Sequence, residues 1–352
     1  MEQAKIDALS ERIVRDVNGA MSCFNVYLGH RLGLFRAMAD AGPVTPGELA
    51  TRTGCQERYL REWLECMAVG DFLTHDAARG AFSLPPEHAV VLLDRDSLAY
   101  STPLVCYVPS FAKILDRLMD AFRSGGGVPY EAYGADALEG IGQGNRPMYV
   151  NDYVARWIPT MPDVEARLRA GGRVAEIGCG LGWSSVSLAQ GFPRVHIDAV
   201  DVDEASIDAA RQNAGEAGVS GQITFHRAAI EEAPLRGPFD LVTAFECLHD
   251  MPYPVRVLHR MRELAGSEGT VLVADEAVGD TLDENRSLVG RLCYNFSVLH
   301  CLPQAMVFPG SAGTGTVIGP SILDGYAREA GFRQVEVLPI EHPLWRFYRL
   351  RT

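Results

Sequence analysis

Glu176-Ile177-Gly178-Cys179-Gly180-Leu181-Gly182-Trp183-Ser184-Ser185 decides how the second half of this chain folds. It follows the apolar residues Val174 and Ala175 and opens a segment with helical spacing. Three glycines at alternate positions let the backbone turn tightly from strand to helix. The missing Cβ atoms also leave room for a ligand across the strand ends. A dinucleotide fingerprint would put glycine at 183, where this chain has Trp183, and no Walker lysine follows the loop. Asp201 closes the next apolar run, HIDAVD, where a carboxylate can accept the two ribose hydroxyls of a nucleoside ligand.

Outward from that loop, short apolar strands alternate with helical stretches: VAEIG, HIDAVD, ITFHRA, FDLVTAF and TVLVADE. Such alternation is the mark of a parallel α/β sheet. The chain closes with VEVLPI and WRFYRL, joined closely enough to be antiparallel neighbours, which predicts seven strands in all. Toward the start the pattern changes. Residues 1–40 carry helical spacing at Ile6, Leu9, Ile13 and Val17, then at Leu28, Leu32, Phe35 and Met38. Thr45, Pro46 and Glu48 spell an N-cap, a first-turn proline and a capping-box acid, and Gly54 ends that short helix. A second amphipathic helix over 56–69 and a hairpin around Arg79-Gly80 complete a winged-helix pattern. Residues 98–168 read as mostly helical, broken at Ser124-Gly125-Gly126-Gly127-Val128-Pro129, a predicted hinge or loop. The expected domains are therefore 1–165, helical with a winged helix, and 166–352, an α/β sheet.

Composition narrows the function classes. The 352 residues are 47% hydrophobic and 22% charged, enough apolar material for a large core and too much for a disordered chain. A net charge of −13 is the wrong sign for gripping a phosphate backbone. The winged helix nevertheless raises DNA binding as a rival reading. Residues 1–100 hold ten Lys/Arg against fourteen Asp/Glu, and 56–69 carries Arg58 and Arg61 beside Glu57, Glu62 and Glu65, so the rival is set aside. Eight cysteines include no C-x-x-C pair, so zinc ribbons and thioredoxin-type sites are not suggested. The start, MEQAKIDALSER, lacks the apolar core of a signal peptide, and no apolar run approaches the roughly 20 residues that span a bilayer. The expectation is a cytoplasmic protein with reduced thiols that acts on a small molecule, not on nucleic acid or membrane.

The glycine loop, the Ala199-Val200-Asp201-Val202-Asp203 strand end and the FDLVTAF strand together resemble the class I, Rossmann-like methyltransferases that use S-adenosylmethionine. That resemblance implies a cofactor held by Glu176, Gly178, Gly180, Gly182 and Asp201, with Val202, Phe245 and Tyr153 nearby. Many members hold the adenine amino group with an acid after the third strand of the sheet. Here Ala229 stands in its place, leaving backbone at Ala229 and Ile230, or Glu231, to make the contact. In resembling families the helix around Arg146, Tyr149 and Tyr153 lies over the cofactor's methionine end, and the winged-helix module forms a homodimer and caps the substrate site. A protein that binds the cofactor without transferring a methyl group fits the same signature.

Leu248-His249-Asp250 follows the fourth strand of the sheet, at the ligand end of a parallel sheet. An imidazole there suits removal of a hydroxyl proton as a methyl group arrives. The stretch resembles the one that carries the general base in small-molecule O-methyltransferases with a winged-helix domain, which makes His249 the base and Asp250 its orienter or a helix cap. A second candidate, His300, lies in the apolar segment 287–307. It is either a packed core residue or part of a helix that covers the site opposite His249. In the latter case the two histidines resemble the iron- or zinc-binding pair of enzymes that methylate the carbon of a 2-oxo acid. Tyr130 and Tyr133, after the glycine triplet, are candidates for a lid.

Overall fold

The structure is a computed structural model that describes residues 1–39 and 41–352. Its contacts divide the chain into two compact units: Met1–Ala112 with Ala135–Pro147, and Lys113–Gly134 with Met148–Thr352. The chain thus changes unit at 112/113, 134/135 and 147/148, where the sequence pattern suggested one boundary at 165/166. Packing explains the last crossing. Tyr149, Tyr153 and Trp157 set their rings 5.9, 5.2 and 6.1 Å from that of Phe245, which ties their segment to the sheet.

The first unit begins with a long helix, Gln3–Arg31, followed by Leu34–Ala39. Ile6, Leu9, Ile13, Val17, Met21, Phe24 and Leu28 fall at helical spacing along the long helix and are all exposed. Only toward its end is it tied down. Arg31 reaches Asp136 at 2.6 Å and Glu139 at 2.5 Å, while His30 meets Glu139 at 2.8 Å. The winged helix follows the expected capping chemistry. Thr45 and Glu48 form a reciprocal box at the start of helix Pro46–Thr53, and Gly54 ends it in the left-handed conformation at φ 71°. Helix Glu57–Val69 buries Leu60, Trp63, Leu64 and Met67 against Phe35, Met38 and Leu49. Each such fully buried side chain contributes about 1.5–3 kcal/mol. On its outer face Arg58 pairs with Glu62 and Arg61 with Glu57, so its cations are matched by its own acids. Strands β1 (Thr74–Asp76) and β2 (Ala81–Ser83) make the wing.

The second unit is built on a seven-stranded sheet of β3 (Arg173–Ile177), β4 (His196–Asp201), β5 (Ile223–Arg227), β6 (Leu241–Phe245), β7 (Thr270–Glu276), β8 (Gln334–Val337) and β9 (Trp345–Arg351). Their spatial order is β5-β4-β3-β6-β7-β9-β8. The first five in that order are parallel, and β9 joins β7 antiparallel with β8 outside it. This is the expected Rossmann-like sheet with an antiparallel terminal hairpin. The central strands are apolar because both faces are covered: β6 and β7 are buried at every residue. Strand order reverses beside β3, and ligands of such sheets bind where it does, at the strands' C-terminal ends. No helix among the described residues is long and apolar enough to cross a membrane.

Candidate active site

At the strand ends, the side nearest β3 and β4 is made largely of backbone. Gly178, Gly180 and Gly182 all take positive φ, at 68°, 49° and 74°. A Cβ on Gly178 would lie 2.8 Å from Cys247 Sγ, and one on Gly182 would lie 2.9 Å from Ala210 Cβ. Those two glycines are demanded by packing. A Cβ on Gly180 would meet nothing within 4 Å, so this glycine is called for by its positive φ and not by packing. The Gly180 N–H donates to Asp201 Oδ2 at 2.8 Å, and the Asp203 N–H donates to Asp201 Oδ1 at 2.9 Å, which sets the Asp201 carboxylate at the end of β4.

Glu176 ends up buried beneath the loop and accepts hydrogen bonds from the Ser184 and Ser185 hydroxyls. Burial, helped by the charge of Asp201, pushes its carboxyl up to about 7. Burial likewise raises the Cys179 thiol well above its usual range, so it is no nucleophile. Val202 is exposed, Ala229 half-buried, and the Ile230 side chain lies in the core beneath the sheet, so any contact from 229–230 to a ligand falls to backbone. Tyr153 is buried beside Phe245 and feels the charge of Glu176. Arg146 binds Asp96 at 2.7 Å within the first unit.

The side nearest β6 and β7 is made of side chains. Glu246, at the end of β6, has a positive φ of 50°, rare for a residue with a Cβ. That turn drops the chain into the short helical turn Leu248–Asp250 and points His249 inward, 2% exposed. Its Nδ1 meets Asp275 Oδ1 at 2.5 Å and Glu276 Oε2 at 3.1 Å, both from the end of β7, and Asp250 Oδ1 faces Nε2 at 3.2 Å. Burial opposes a charged ring, but Asp275, Glu276 and Asp250 together outweigh it and hold the His249 pKa well above its ordinary value. Burial and the neighbouring Asp275 push the Glu276 carboxyl up, while His249 pulls the Asp275 carboxyl down against the effect of burial. Asp275 Oδ2 is buried without a hydrogen-bond partner among the described residues. The apolar run TVLVADE predicts the strand, but Asp275 and Glu276 are not among the site residues expected from the sequence. Their signal was an acidic pair ending an otherwise apolar run.

His300 is buried on a wide helical turn, Ser297–Cys301, whose closing bond runs from Leu302 N–H to Ser297 O. A similar turn, Tyr149–Trp157, carries Tyr149 and Tyr153. Such i→i+5 turns concentrate at functional sites. The turn aims the His300 ring edge-on at Tyr133, 4.5 Å away, and its charged neighbours are Asp250 and His249. In the second unit, candidate ligand atoms converge within 4.8 Å in His249–Asp250–Cys301 and in His249–Asp275–Glu276, and neither described group contains His300. Nothing in these groups supports the iron or zinc site expected on His249 and His300, and His300 packs against Tyr130 and Tyr133.

The strand ends of this Rossmann-like sheet thus bring together a glycine loop after β3, an acid at the end of β4, and a buried imidazole–carboxylate pair from the ends of β6 and β7. A family profile for a methyltransferase domain matches residues 168–315, and one for an Rv2258c-like winged HTH domain matches residues 20–94. The ubiquinone biosynthesis O-methyltransferase of Pseudomonas aeruginosa (strain UCBPP-PA14) is 31% identical over 211 residues, 58% of this chain and 82% of that protein. Among solved structures, the mitomycin 7-O-methyltransferase MmcR superposes with a TM-score of 0.72 at 17% identity, covering 99% of each chain. Human N-acetylserotonin methyltransferase in complex with S-adenosylmethionine gives 0.68 at 18% identity, covering 97% of each. The chain belongs to the S-adenosylmethionine-dependent methyltransferases, with a winged helix-turn-helix domain ahead of the catalytic domain.

Proposed function

We propose that the protein transfers a methyl group to a hydroxyl oxygen of a small molecule, with His249 as the general base. The observation that carries this reading is the buried His249–Asp275 pair at the end of β6, with Nε2 on the side away from Asp275 and Glu276. The names of the relatives, O-methyltransferases in the main, point the same way. When bound, the cofactor supplies a sulfonium methyl group for in-line displacement. The chain's part is to hold that cofactor on Gly178, Gly180, Gly182 and Asp201, with Glu176 and Tyr153 toward its methionine end. Its other part is to take the acceptor's proton at His249 Nε2. Asp275 and Glu276 stabilise the imidazolium so formed and fix the ring through Nδ1, the role a carboxylate plays beside a catalytic histidine. The same stabilisation requires the resting ring to release its Nε2 proton toward Asp250 and solvent before each turnover.

The exposed apolar stripe of helix Gln3–Arg31 supports a homodimer in which a second copy covers it, and eight free cysteines support a reducing, cytoplasmic setting. Release of S-adenosylhomocysteine from a panel of phenols, alcohols, thiols and amines tests the reaction. Turnover with hydroxyl acceptors, lost about 100-fold or more in His249→Ala with cofactor affinity retained, is the expected result. Turnover confined to thiols or amines would sink the reading.

A further inference from the structure

His249 Nε2 and Asp250 Oδ1 lie 3.2 Å apart, and Cys301 joins them in a group whose donor atoms all fall within 4.8 Å of one another. Two elements supply the three residues. His249 and Asp250 sit on the turn Leu248–Asp250 after β6, and Cys301 ends the wide turn Ser297–Cys301. One imidazole nitrogen, one carboxylate oxygen and one sulfur make the mixed donor set that zinc takes in tetrahedral sites. Zinc holds such donors about 3.3–3.7 Å apart, so these three would close on it by shifts of about 1 Å or less.

The imidazole is already aimed for that task. Its Nδ1 meets Asp275 Oδ1 at 2.5 Å, which leaves Nε2 facing Asp250. A carboxylate behind a ligating histidine fixes the ring and raises its basicity as a ligand. His249 and Cys301 are 2% and 5% exposed, whereas the Asp250 side chain keeps 24% of its surface and gives an ion a way in. A carboxylate and a thiolate together match the charge of a divalent ion, so none of it is buried uncompensated. Two other groups converge among the described residues, and both are already engaged. Arg31 holds Glu139 of the His30–Cys106–Glu139 group at 2.5 Å, where its guanidinium takes the place of an ion. His249, Asp275 and Glu276 meet on the Nδ1 side, without sulfur and with Nδ1 given to Asp275.

We propose that His249, Asp250 and Cys301 bind a zinc ion, and that zinc there shuts off methyl transfer. The ion forms bonds to Nε2, Oδ1 and Sγ. The thiol proton, and the Nε2 proton where the ring carries one, leave to solvent, and no oxidation state changes. With its Nε2 lone pair on zinc, His249 has none for an acceptor's proton, so the inhibition rests on the hydroxyl-methylation reading above while the binding does not. Calorimetric titration of the full-length protein with zinc chloride is expected to show about one ion per chain. Affinity should fall about 100-fold in Cys301→Ser and about ten-fold or more in Asp250→Asn, and hold in Cys66→Ser and Cys106→Ser. Cobalt(II) in place of zinc reads the sulfur directly. A thiolate-to-cobalt absorption band should appear in the protein and vanish in Cys301→Ser, whose melting temperature without metal checks that it folds. No stoichiometric zinc event, or a cobalt band that survives Cys301→Ser, overturns the site. Turnover of a hydroxyl acceptor is read separately, and one equivalent of zinc should abolish it until a chelator is added. Zinc bound through Cys301 with turnover intact would overturn the inhibition and take the general-base role from His249. Turnover lost in His249→Ala without any zinc binding would overturn this proposal and keep that reading.

Discussion

The two sides of the crevice are built from different materials. The side proposed for the cofactor is shaped by backbone, with three left-handed glycines and two N–H groups that set Asp201. The side proposed for the acceptor is shaped by side chains from segments far apart in sequence, with His249 after β6 and Asp275 and Glu276 at the end of β7. A backbone cradle is intolerant of any side chain at its glycines but indifferent to most other substitutions. A side-chain cluster depends on the identity of each member and on the charge balance among them.

That contrast can be broken at either side. The largest effect is expected from Asp275→Asn, which removes the nearest acid at Nδ1 and leaves the imidazolium with only Glu276 and Asp250. We expect kcat to fall about 100- to 1,000-fold while the cofactor dissociation constant moves by less than about two-fold. Steady-state kinetics beside equilibrium cofactor binding separates the two numbers. A parallel loss of cofactor affinity would mean that the sides are not independent.

Gly180→Val should do the reverse. Its Cβ enters the open space over the loop at a φ that branched residues rarely adopt, so cofactor affinity should drop about 30-fold or more. The His249–Asp275 pair would be untouched, and thermal melting without cofactor distinguishes a filled cradle from a misfolded loop.

A smaller effect joins the cofactor side to pH. Glu176 is raised in the folded protein, so its neutral form is favoured there, and the free protein loses this stabilisation as pH rises from the ordinary carboxylate range through about 7. The cofactor's ammonium group favours the carboxylate form, so binding releases a proton and affinity should rise with pH. From about pH 6 to 7.5 the expected gain is up to about ten-fold, flattened in Glu176→Gln. Calorimetry in buffers of different ionisation enthalpy counts the released proton directly, and no release would refute the coupling.

The same contrast explains how much was legible in the sequence. A glycine that must hold a positive φ announces itself locally, which is why the loop and the strand order around Asp201 were readable from the chain alone. The seven strands were readable for a similar reason, since burial on both faces writes an apolar run into each. Asp275 and Glu276 lie at the end of the apolar strand β7 and meet His249 only through sheet order, which pairs β6 with β7. His300 shows the opposite failure. Its place in an apolar helix allowed both a core role and a metal role, and only the turn at Ser297–Cys301 decides which way the ring points. The unit boundaries were hidden because the ring contacts that assign 148–165 to the sheet cross about a hundred residues of chain.

Glu246 brings out a further consequence. A side chain held at a φ of 50° stores about 1 kcal/mol that a glycine there would release. Evolution toward a hardier protein has an easy move at this position. Glu246→Gly should raise the melting temperature by a few degrees, yet it would free the hinge that aims His249 and lower kcat. Durability and speed are therefore set against each other at one backbone angle, and a thermal screen without an activity screen would select the slower enzyme.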